Sequence, residues 1–492
     1  MRRGVGGLGF RSACLPGRTR GFGCFFSFLR GGGRRIALCL LAGFSLFALG
    51  LFCTRPAYAA EKPPHVFIFL VDALRPDHLG AYGYPRKTSE NLDALAQESL
   101  VFTDVRSVSS WTLPAVGTLF TSQYPTAHGL RANNGQRWVR SLRAGAVTLA
   151  ELFLAADYYT ISISANDWLK LEQKTRLERG FVVYEVLGPV TAERLNERAR
   201  AQIEKQQAGP GTRDRPLFVY LHYMETHLPW YAPRVDPAVL GPLDFVPDRP
   251  FTEKEAEARK NWLEPAPFRE ERWKQARHLR DFVHAYDETI YAWDRAFGAF
   301  LGWLREKGLY ENAVVTVVAD HGEELWDHGT FGHGFSLFEE AVRVPWIVRY
   351  PRGRPRGRIG GPASLLDFAP TILRAAGLPV PPAMKGVDAS KGVPSRDLFA
   401  EVDACRGDWG SCRQRAGWRG QKKILDQAGR VVSFDLEKDP GEKNPLPPFP
   451  ELEAALLRWE KEQVAIAREL GESVTGQIDP SIHERLRMLG YE

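Results

Sequence analysis

The chain has 492 residues, 25% of which are charged, and its formal net charge at pH 7 is +6. A chain of this length can bury a large core and hold two or three domains. Residues 1–60 contain nine arginines and no acidic residue, so the formal charge of residues 61–492 is −3. The excess of positive charge therefore lies in the N-terminal segment. The composition of the remaining residues excludes a basic face that would indicate nucleic acid as a partner.

The first predicted element is an apolar run from Ile36 to Phe52, followed by the small-x-small pattern Ala57-Tyr58-Ala59. We interpret residues 1–60 as a signal peptide, which predicts an exported protein, periplasmic or extracellular. The alternative is an uncleaved single-span anchor, because about 17 apolar residues lie at the lower limit for crossing a bilayer. A membrane tether through this segment is therefore the second hypothesis.

Three buried strands are predicted next, at Val66–Val71, Leu217–Tyr223 and Val314–Ala319, from their length and β-branched content. They alternate with helical stretches, which indicates an α/β sheet covered by helices. Asp72 follows the first strand, and Asp320-His321 follows the third. Because ligands of open α/β sheets bind at the carboxyl ends of strands, these residues predict a site at that edge. The alternative for any one of them is a helix-capping role.

The remaining segments divide the chain into a catalytic domain, residues 61–378, and a C-terminal subdomain, residues 379–492, with a terminal helix from Glu451 to Glu469. Residues 236–280 are predicted as an insertion that forms a lid or supplies specificity, or else as a plain surface elaboration. Residues 281–307 have apolar positions at helical spacing and predict a core-packing helix. Cys405 and Cys412, the pair outside the N-terminal segment, predict a disulfide in an exported protein, with two free thiols as the alternative.

The candidate chemistry is that of a metal-assisted ester hydrolase. Asp72, Asp320 and His321 offer two carboxylates and one imidazole, which suit a divalent cation, with Thr112 as a fourth ligand. A threonine hydroxyl is a poor nucleophile at neutral pH until a metal lowers its pKa. The candidates for binding the transferred group or protonating the leaving group are His227, His328 and His333. The alternative for each is a hydrogen-bonded histidine of the core or surface.

Several motifs occur in an order that resembles the sulfatase branch of the alkaline-phosphatase superfamily, from Pro64 to Glu492. They are Val71-Asp72-Ala73-Leu74-Arg75, Tyr82-Gly83-Tyr84, the turn at Trp111-Thr112-Leu113-Pro114, Met224-Glu225-Thr226-His227, Ala319-Asp320-His321-Gly322-Glu323, Val344-Pro345-Trp346-Ile347, Asp367-Phe368-Ala369-Pro370-Thr371 and Phe434-Asp435-Leu436. The resemblance implies an α/β, alkaline-phosphatase-like three-layer sandwich with a central, mostly parallel sheet and a small C-terminal α+β subdomain. It also implies one divalent metal ion bound by Asp72, Asp320 and His321 around Thr112, with His227 and His333 binding the anionic group.

Departures from the family pattern lie in the substrate machinery. The family's sulfatases have cysteine or serine at the position of Thr112 and oxidise it to formylglycine, which threonine cannot become. Ala73 stands where they have a second aspartate, Ala115-Val116 stands where they have Ser-Arg, and their Lys-x-His is absent near Asn166-Asp167-Trp168. The threonine set is closer to relatives that use manganese or zinc than to calcium sulfatases, so we expect Mn, Zn or Ca.

The resulting hypothesis is an exported hydrolase that cleaves a phosphate, phosphonate or sulfate ester, either of a small molecule or linked to a glycan or lipid. The alternatives are a catalytically silent metal-binding protein, suggested by Ala73 and Ala115-Val116, and a phosphoryl-group transferase. The transferase relatives carry several membrane spans, whereas this chain has one apolar segment at most, which favours a hydrolase. The sequence gives no prediction of oligomeric state.

Overall fold

A computed structural model describes residues 62–480 and 482, except 134–137, 231–232, 258–275, 404–412 and 428. The predicted signal peptide or anchor and the Cys405–Cys412 pair lie outside the described residues. Within them, no helix is both long enough and apolar enough to cross a membrane. Residues 63–492 cluster as one unit, and the domain boundary at residue 378 stays a prediction.

The strands of the described residues are β1 His65–Val71, β2 Leu100–Phe102, β3 Val105–Arg106, β4 Arg131–Asn133, β5 Trp138–Arg140, β6 Tyr159–Ser164, β7 Val183–Val186, β8 Leu217–Tyr223, β9 Ala313–Val318, β10 Glu324–Leu325, β11 Phe331–Gly332, β12 Trp346–Arg349, β13 Gly357–Ile359, β14 Ala363–Ser364, β15 Asp397–Val402, β16 Gln414–Arg419, β17 Lys422–Gln427, β18 Arg430–Asp435 and β19 Thr475–Gln477. The α-helices are α1 Glu90–Gln97, α2 Thr112–Thr121, α3 Pro125–His128, α4 Leu149–Ala155, α5 Ala192–Ala208, α6 Pro237–Leu240, α7 Leu279–Glu306, α8 Glu339–Val342, α9 Phe368–Ala375 and α10 Pro450–Glu469.

The largest sheet has the strand order β13-β2-β12-β9-β1-β8-β6-β7. Its central strands β9, β1, β8 and β6 are parallel neighbours, and β12 is antiparallel to both β9 and β2. The three strands that the sequence predicts are therefore β1, β8 and β9, side by side in the middle of the sheet. Their carboxyl ends meet at one edge, as expected from their apolar runs and the polar residues that follow.

Helices cover both faces of this sheet because the side chains of each strand alternate between the two faces. On one face, Phe69 of β1 packs edge-on against Phe297 and Phe300 of α7. On the other face, Phe218 of β8 stacks on Phe153 of α4, with ring centroids 4.3 Å apart. The predicted stripe of the long helix is fully buried, at Phe282, Tyr286, Ile290, Trp293 and Phe297. The helix and the mostly parallel sheet are confirmed.

Strands β15–β18 form a separate four-stranded antiparallel sheet, against which α10 packs. A buried ion pair joins this sheet to α8: Lys423 of β17 contacts Glu339, the first residue of α8. Further along, β19 pairs with β5, which in turn pairs with β4. The C-terminal segment therefore contributes one strand to a sheet whose other strands lie in the predicted catalytic domain.

The described part of the predicted insertion begins with α6 and packs along α7. Arg280 donates from Nε to the carbonyl oxygen of Val246 at 3.2 Å, and Phe251 contacts Phe282 edge-on. The backbone N–H of Leu279 also donates to the carbonyl oxygen of Arg249. These contacts attach residues 246–251 of the insertion to the first turn of α7.

Candidate active site

The candidate site lies at the carboxyl ends of the central strands. Strands β9, β1 and β8 are adjacent, and Leu70 of β1 lies in register with Val318 of β9 and His222 of β8. Asp72 and Asp320 each follow this row by two residues, so parallel pairing brings them together. Both carboxylates are fully buried. The sequence prediction that Asp72 and Asp320 meet agrees with this geometry.

Thr112 is the first residue of α2 and is fully buried. Its hydroxyl Oγ1 lies 3.3 Å from Asp72 Oδ2 and 3.3 Å from His321 Nε2. The first backbone N–H groups of a helix have no partner within the helix and carry a partial positive charge. Thr112 therefore combines a buried hydroxyl with a helix end that favours a negative charge.

His321 directs one ring nitrogen toward the two carboxylates. Its Nδ1 lies 2.9 Å from the carbonyl oxygen of Gly322, which can only accept, so Nδ1 carries a hydrogen. Its Nε2 lies 3.3 Å from Asp72 Oδ1 and 3.5 Å from Asp320 Oδ2. A side chain at Gly322 would meet the carbonyl oxygen of Glu340 at 2.0 Å, so a glycine is needed there for this segment to pack.

Two buried carboxylate oxygens at this point lack hydrogen-bond partners. No donor among the described residues reaches Asp72 Oδ1 or Asp320 Oδ2. The second oxygen of Asp320, Oδ1, accepts from the backbone N–H groups of Ala73 at 3.3 Å and His321 at 3.0 Å. A buried carboxylate oxygen without a donor is costly unless a cation compensates it. These two oxygens, with His321 Nε2 between them, fit a divalent metal ion.

Burial and neighbouring groups shift the pKa values here in opposite directions. Burial raises the pKa of Asp320 to about 6, and the nearby Asp72 carboxylate adds to this effect. Burial also acts on Asp72, but the hydrogen bond from His222 and the charges of His227 and His321 hold its pKa well below the usual range. Asp72 is therefore the more acidic member of the pair.

His222 and Asn166 are site residues that the sequence analysis did not assign. His222 Nε2 lies 3.0 Å from Asp72 Oδ2, and Asn166 Nδ2 donates to the same oxygen at 2.9 Å. Asp72, His222 and Asp320 each offer a ligand atom within 4.8 Å of the others. Asn166 follows β6, the neighbour of β8, so the strand-end rule that found Asp72 also applies to it. The sequence feature that could have indicated His222 is its spacing of two residues from Tyr220, which places both side chains on one face of β8.

His227 and His333 lie beside this group, as predicted. Their ring centroids are 4.6 Å apart, and the ring of His333 is 4.4 Å from that of His321. His227 donates from Nδ1 to the carbonyl oxygen of Leu228, and burial lowers its pKa to about 4. His227 is therefore neutral at neutral pH, and its Nε2 is the acceptor.

A buried glutamate orients His333. Strands β10 and β11 form a hairpin in which Glu324 pairs with Gly332, so Glu323 and His333 form the next opposed pair at its open end. His333 Nδ1 lies 3.0 Å from Glu323 Oε1. Burial raises the pKa of Glu323 to about 8. Glu323 belongs to the motif Ala319-Asp320-His321-Gly322-Glu323, whose sequence alone does not indicate this role.

The structure does not bring His328 into this group. His328 lies in the turn between β10 and β11, and its ring stacks on Phe338 with centroids 3.6 Å apart. Its ring nitrogens contact the carboxylate of Glu340 at 2.5 Å and the carbonyl oxygen of Glu442 at 3.4 Å. None of these three partners contacts Asp72, Thr112 or His321 in the described residues. Its predicted catalytic role has no support from this geometry.

Comparisons with known proteins agree with this arrangement. A family model described as Sulfatase matches residues 64–378. An ulvan-active sulfatase of Formosa agariphila is 25% identical over 371 residues, covering 69% of this chain and 67% of the relative.

Two solved structures share the fold. BT4656 in complex with D-glucosamine-2-N,6-O-disulfate superposes with a TM-score of 0.63 at 17% identity, covering 83% of this chain and 99% of that chain. The phosphonate monoester hydrolase of Silicibacter pomeroyi superposes with a TM-score of 0.61 at 20% identity, covering 85% of this chain and 100% of that chain. The predicted alkaline-phosphatase-like sandwich is confirmed by these matches.

Proposed function

Because the chain belongs to the sulfatase family of ester hydrolases, we propose that it is an exported, metal-dependent enzyme that cleaves a sulfate, phosphate or phosphonate ester with Thr112 as the nucleophile. The observation that carries this proposal is the position of Thr112 Oγ1, 3.3 Å from both Asp72 Oδ2 and His321 Nε2 at the start of α2. Export is supported by the signal-peptide pattern of residues 1–60.

The residues that would hold the ion are Asp72 through Oδ1, Asp320 through Oδ2, His321 through Nε2, and Thr112 through its hydroxyl. A divalent ion bound there would supply Lewis-acid chemistry, which lowers the pKa of a neighbouring hydroxyl and neutralises anionic oxygens. The imidazole among these donors suits manganese or zinc better than calcium, which prefers oxygen ligands.

In the first step, the oxygen of Thr112 attacks the sulfur or phosphorus atom, and its proton leaves to solvent through Asp72 Oδ2, its hydrogen-bond acceptor, because the low pKa of Asp72 does not retain it. The bond from sulfur or phosphorus to the leaving oxygen breaks. The pair formed by Glu323 and His333 supplies the proton that this oxygen needs to depart as an alcohol. A covalent ester of Thr112 remains, with its anionic oxygens near the N-terminus of α2.

In the second step, water attacks the same sulfur or phosphorus atom and displaces Thr112. His227 is the acceptor for the proton of this water, because its Nδ1 hydrogen is engaged by Leu228 and its Nε2 is unprotonated at neutral pH. Thr112 recovers a proton from solvent through Asp72, and the histidines re-equilibrate with solvent. The products are the alcohol and the free inorganic or organic acid anion.

The substrate class proposed here is an anionic ester of a small molecule or a glycan. The relatives include one named an ulvan-active sulfatase, and sulfate esters of ulvan are therefore one substrate to test. In the described part of the insertion, residues 246–251 pack on α7, whose Tyr286 donates to the carbonyl oxygen of Ala73 at 2.8 Å, next to Asp72. This link supports a specificity role for the insertion.

The test is a turnover assay on the purified full-length protein with Mn²⁺, Zn²⁺ or Ca²⁺. The panel contains an aryl sulfate, an aryl phosphate, a phosphate diester and a phosphonate monoester. Thr112→Ala should abolish turnover of whichever ester is cleaved. The matched control is Thr121→Ala in the same helix, whose hydroxyl donates to Gly117 and which should leave turnover intact. Undiminished turnover by Thr112→Ala would overturn the nucleophile assignment.

A further inference from the structure

We infer that Tyr220, His222 and Asn166 form a buried support that orients Asp72 so that only its Oδ1 atom is available to a metal ion. This inference rests on the proposed function and concerns the same site. His222 is thus a positioning residue, outside the set of atoms that bind the ion. Its effect is exerted through the carboxylate of Asp72.

The support is assembled by the central sheet. Side chains of β8 alternate, so Tyr220 and His222 project to the same face and the ring of His222 reaches Asp72. His222 Nδ1 lies 2.9 Å from the Tyr220 hydroxyl, and His222 Nε2 lies 3.0 Å from Asp72 Oδ2. Asn166, at the end of the next strand, donates to the same Oδ2 atom. All three supporting side chains are at most 2% exposed.

The hydrogen positions follow from the chemistry of the partners. An ionised carboxylate can only accept, so the hydrogen between Asp72 and His222 belongs to Nε2. In the tautomer that carries this hydrogen, Nδ1 accepts from the Tyr220 hydroxyl. With Nε2 donating to Asp72 and Nδ1 directed at Tyr220, His222 has no nitrogen lone pair directed at the two carboxylates.

Three donors therefore converge on Asp72 Oδ2, from His222, Asn166 and Thr112. The other oxygen, Oδ1, accepts from none of the described donors. It lies 3.3 Å from His321 Nε2, on the side where Asp320 Oδ2 also lacks a donor. The carboxylate is thus divided, with one oxygen held by the protein and one left for the ion.

Such outer partners fix the orientation of a ligand, and their loss typically weakens metal affinity roughly 10- to 100-fold. Ala73 contributes a backbone N–H to this site, where the family pattern has an aspartate. Asp72 and Asp320 are therefore the carboxylates that remain to bind the ion, and its affinity depends strongly on how Asp72 is held.

The test is calorimetric titration of the metal-free, full-length protein with Mn²⁺. His222→Leu should weaken the affinity roughly 10- to 100-fold, because it removes the donor to Oδ2. His222→Gln should restore most of it, because the amide nitrogen of glutamine can donate to the same oxygen. Tyr220→Phe should show an intermediate loss. Affinity of His222→Leu equal to that of the unmodified protein would overturn the inference.

A second measurement needs no substitution at His222. Electron spin-echo modulation of the Mn²⁺-loaded protein counts the imidazole nitrogens bound to the ion. One coordinated imidazole, lost in His321→Gln, is expected. Two coordinated imidazoles would make His222 a direct ligand and overturn the positioning role.

The same titration separates this inference from the proposed function. Asp320→Asn should lose Mn²⁺ binding if the ligand set is right, whatever His222 does. If Asp320→Asn binds Mn²⁺ normally, or the unmodified protein binds none, the proposed metal dependence fails and this inference fails with it. If Asp320→Asn loses the ion and His222→Leu keeps it, only the support around Asp72 is wrong.

Discussion

Glu323 and His333 face each other at the open end of the β10–β11 hairpin, with Glu323 Oε1 3.0 Å from His333 Nδ1. The pair is buried, and His333 lies against the rings of His227 and His321. A carboxyl group held on one ring nitrogen fixes the orientation of the imidazole and selects its tautomer. This relationship is the basis of the general-acid role that we propose for the pair.

The first prediction concerns this pair. Glu323→Ala should lower kcat about 10²-fold for esters with poor leaving groups, a typical contribution of general acid catalysis. Esters with good leaving groups, such as nitrophenyl esters, should lose far less, because their oxygen departs without a proton. The measurement is kcat across a series of leaving groups. Glu323→Gln, which can still bond Nδ1, is the control, and an equal loss across the series would contradict the assignment.

A second prediction separates the two histidines of the hairpin. His328→Gln should leave kcat/KM within about threefold of the unmodified value, because its contacts are to Phe338, Glu340 and Glu442. It should lower the free energy of unfolding by about 1 kcal/mol through the lost stacking and hydrogen bond. His333→Gln is the matched variant and should lose activity by a large factor. Comparable losses in the two variants would restore His328 to the catalytic set.

A third prediction is that chelation lowers thermal stability. An ion at 100 times its dissociation constant stabilises the folded state by about 2.7 kcal/mol. EDTA should therefore lower the melting temperature of the metal-loaded protein by several degrees. Asp320→Asn should show no such change, because the site loses Asp320 Oδ2, one of its two carboxylate oxygens that lack a donor. A melting temperature indifferent to EDTA in the unmodified protein would count against a resident ion.

The fourth prediction is a pH dependence carried by Glu324. Burial raises the pKa of Glu324 to about 8, whereas the group ionises near 4.5 in the unfolded chain. The folded state therefore binds a proton that the unfolded state releases, so stability is full below pH 4.5 and is lost as pH rises toward 8. Glu324→Gln removes this loss and should be more stable by a few kcal/mol at pH 8, with little gain at pH 4.

Thermal or denaturant unfolding from pH 4 to 9 measures the Glu324 effect. The exposed Glu172 supplies the matched control, since Glu172→Gln should give a pH profile that runs parallel to that of the unmodified protein. A Glu324→Gln profile parallel to both would show that Glu324 ionises normally in the folded chain.

The fifth prediction concerns the buried charge of the C-terminal sheet. Lys423 is fully buried, with Nζ 2.6 Å from Glu442 Oε1, 3.3 Å from Glu339 Oε1 and 2.7 Å from the carbonyl oxygen of Leu337. Lys423→Met strands a buried carboxylate and should cost about 3–5 kcal/mol of unfolding free energy. Its exposed neighbour in the same strand allows the control Lys422→Met, expected to stay within about 0.5 kcal/mol.

The central sheet could be predicted because its strands are apolar runs that end in ligand-type residues. Because β1 and β9 pair in parallel, their carboxyl ends lie at the same edge of the sheet. That rule predicted the meeting of Asp72 with Asp320. The same rule applies to Asn166, which follows β6. Strand β6 was not identified from the sequence, so the role of Asn166 was missed.

His222 and His328 show where sequence reasoning stops. His222 stands inside a run of aromatic and aliphatic residues, and only the period-two alternation with Tyr220 separates it from core packing. His328 lies in a tract rich in histidine and glycine, where the spacing does not reveal which side chains face the candidate site and which face away from it. The pairing of Glu324 with Gly332 decides this, because it places His333 at the base of the hairpin and His328 at its tip.

The pairing of β19 with β5 has a consequence for dissection of the chain. Val474 donates to Ser141 Oγ at 3.1 Å across 333 positions of sequence, and β5 has β4 as its other neighbour. A fragment that ends near residue 378, where the family match ends, would leave one side of β5 as an open edge with unpaired N–H and C=O groups. Open edges recruit other chains. The minimal soluble enzyme therefore has to extend past Gln477, and shorter fragments should aggregate even with every catalytic residue present.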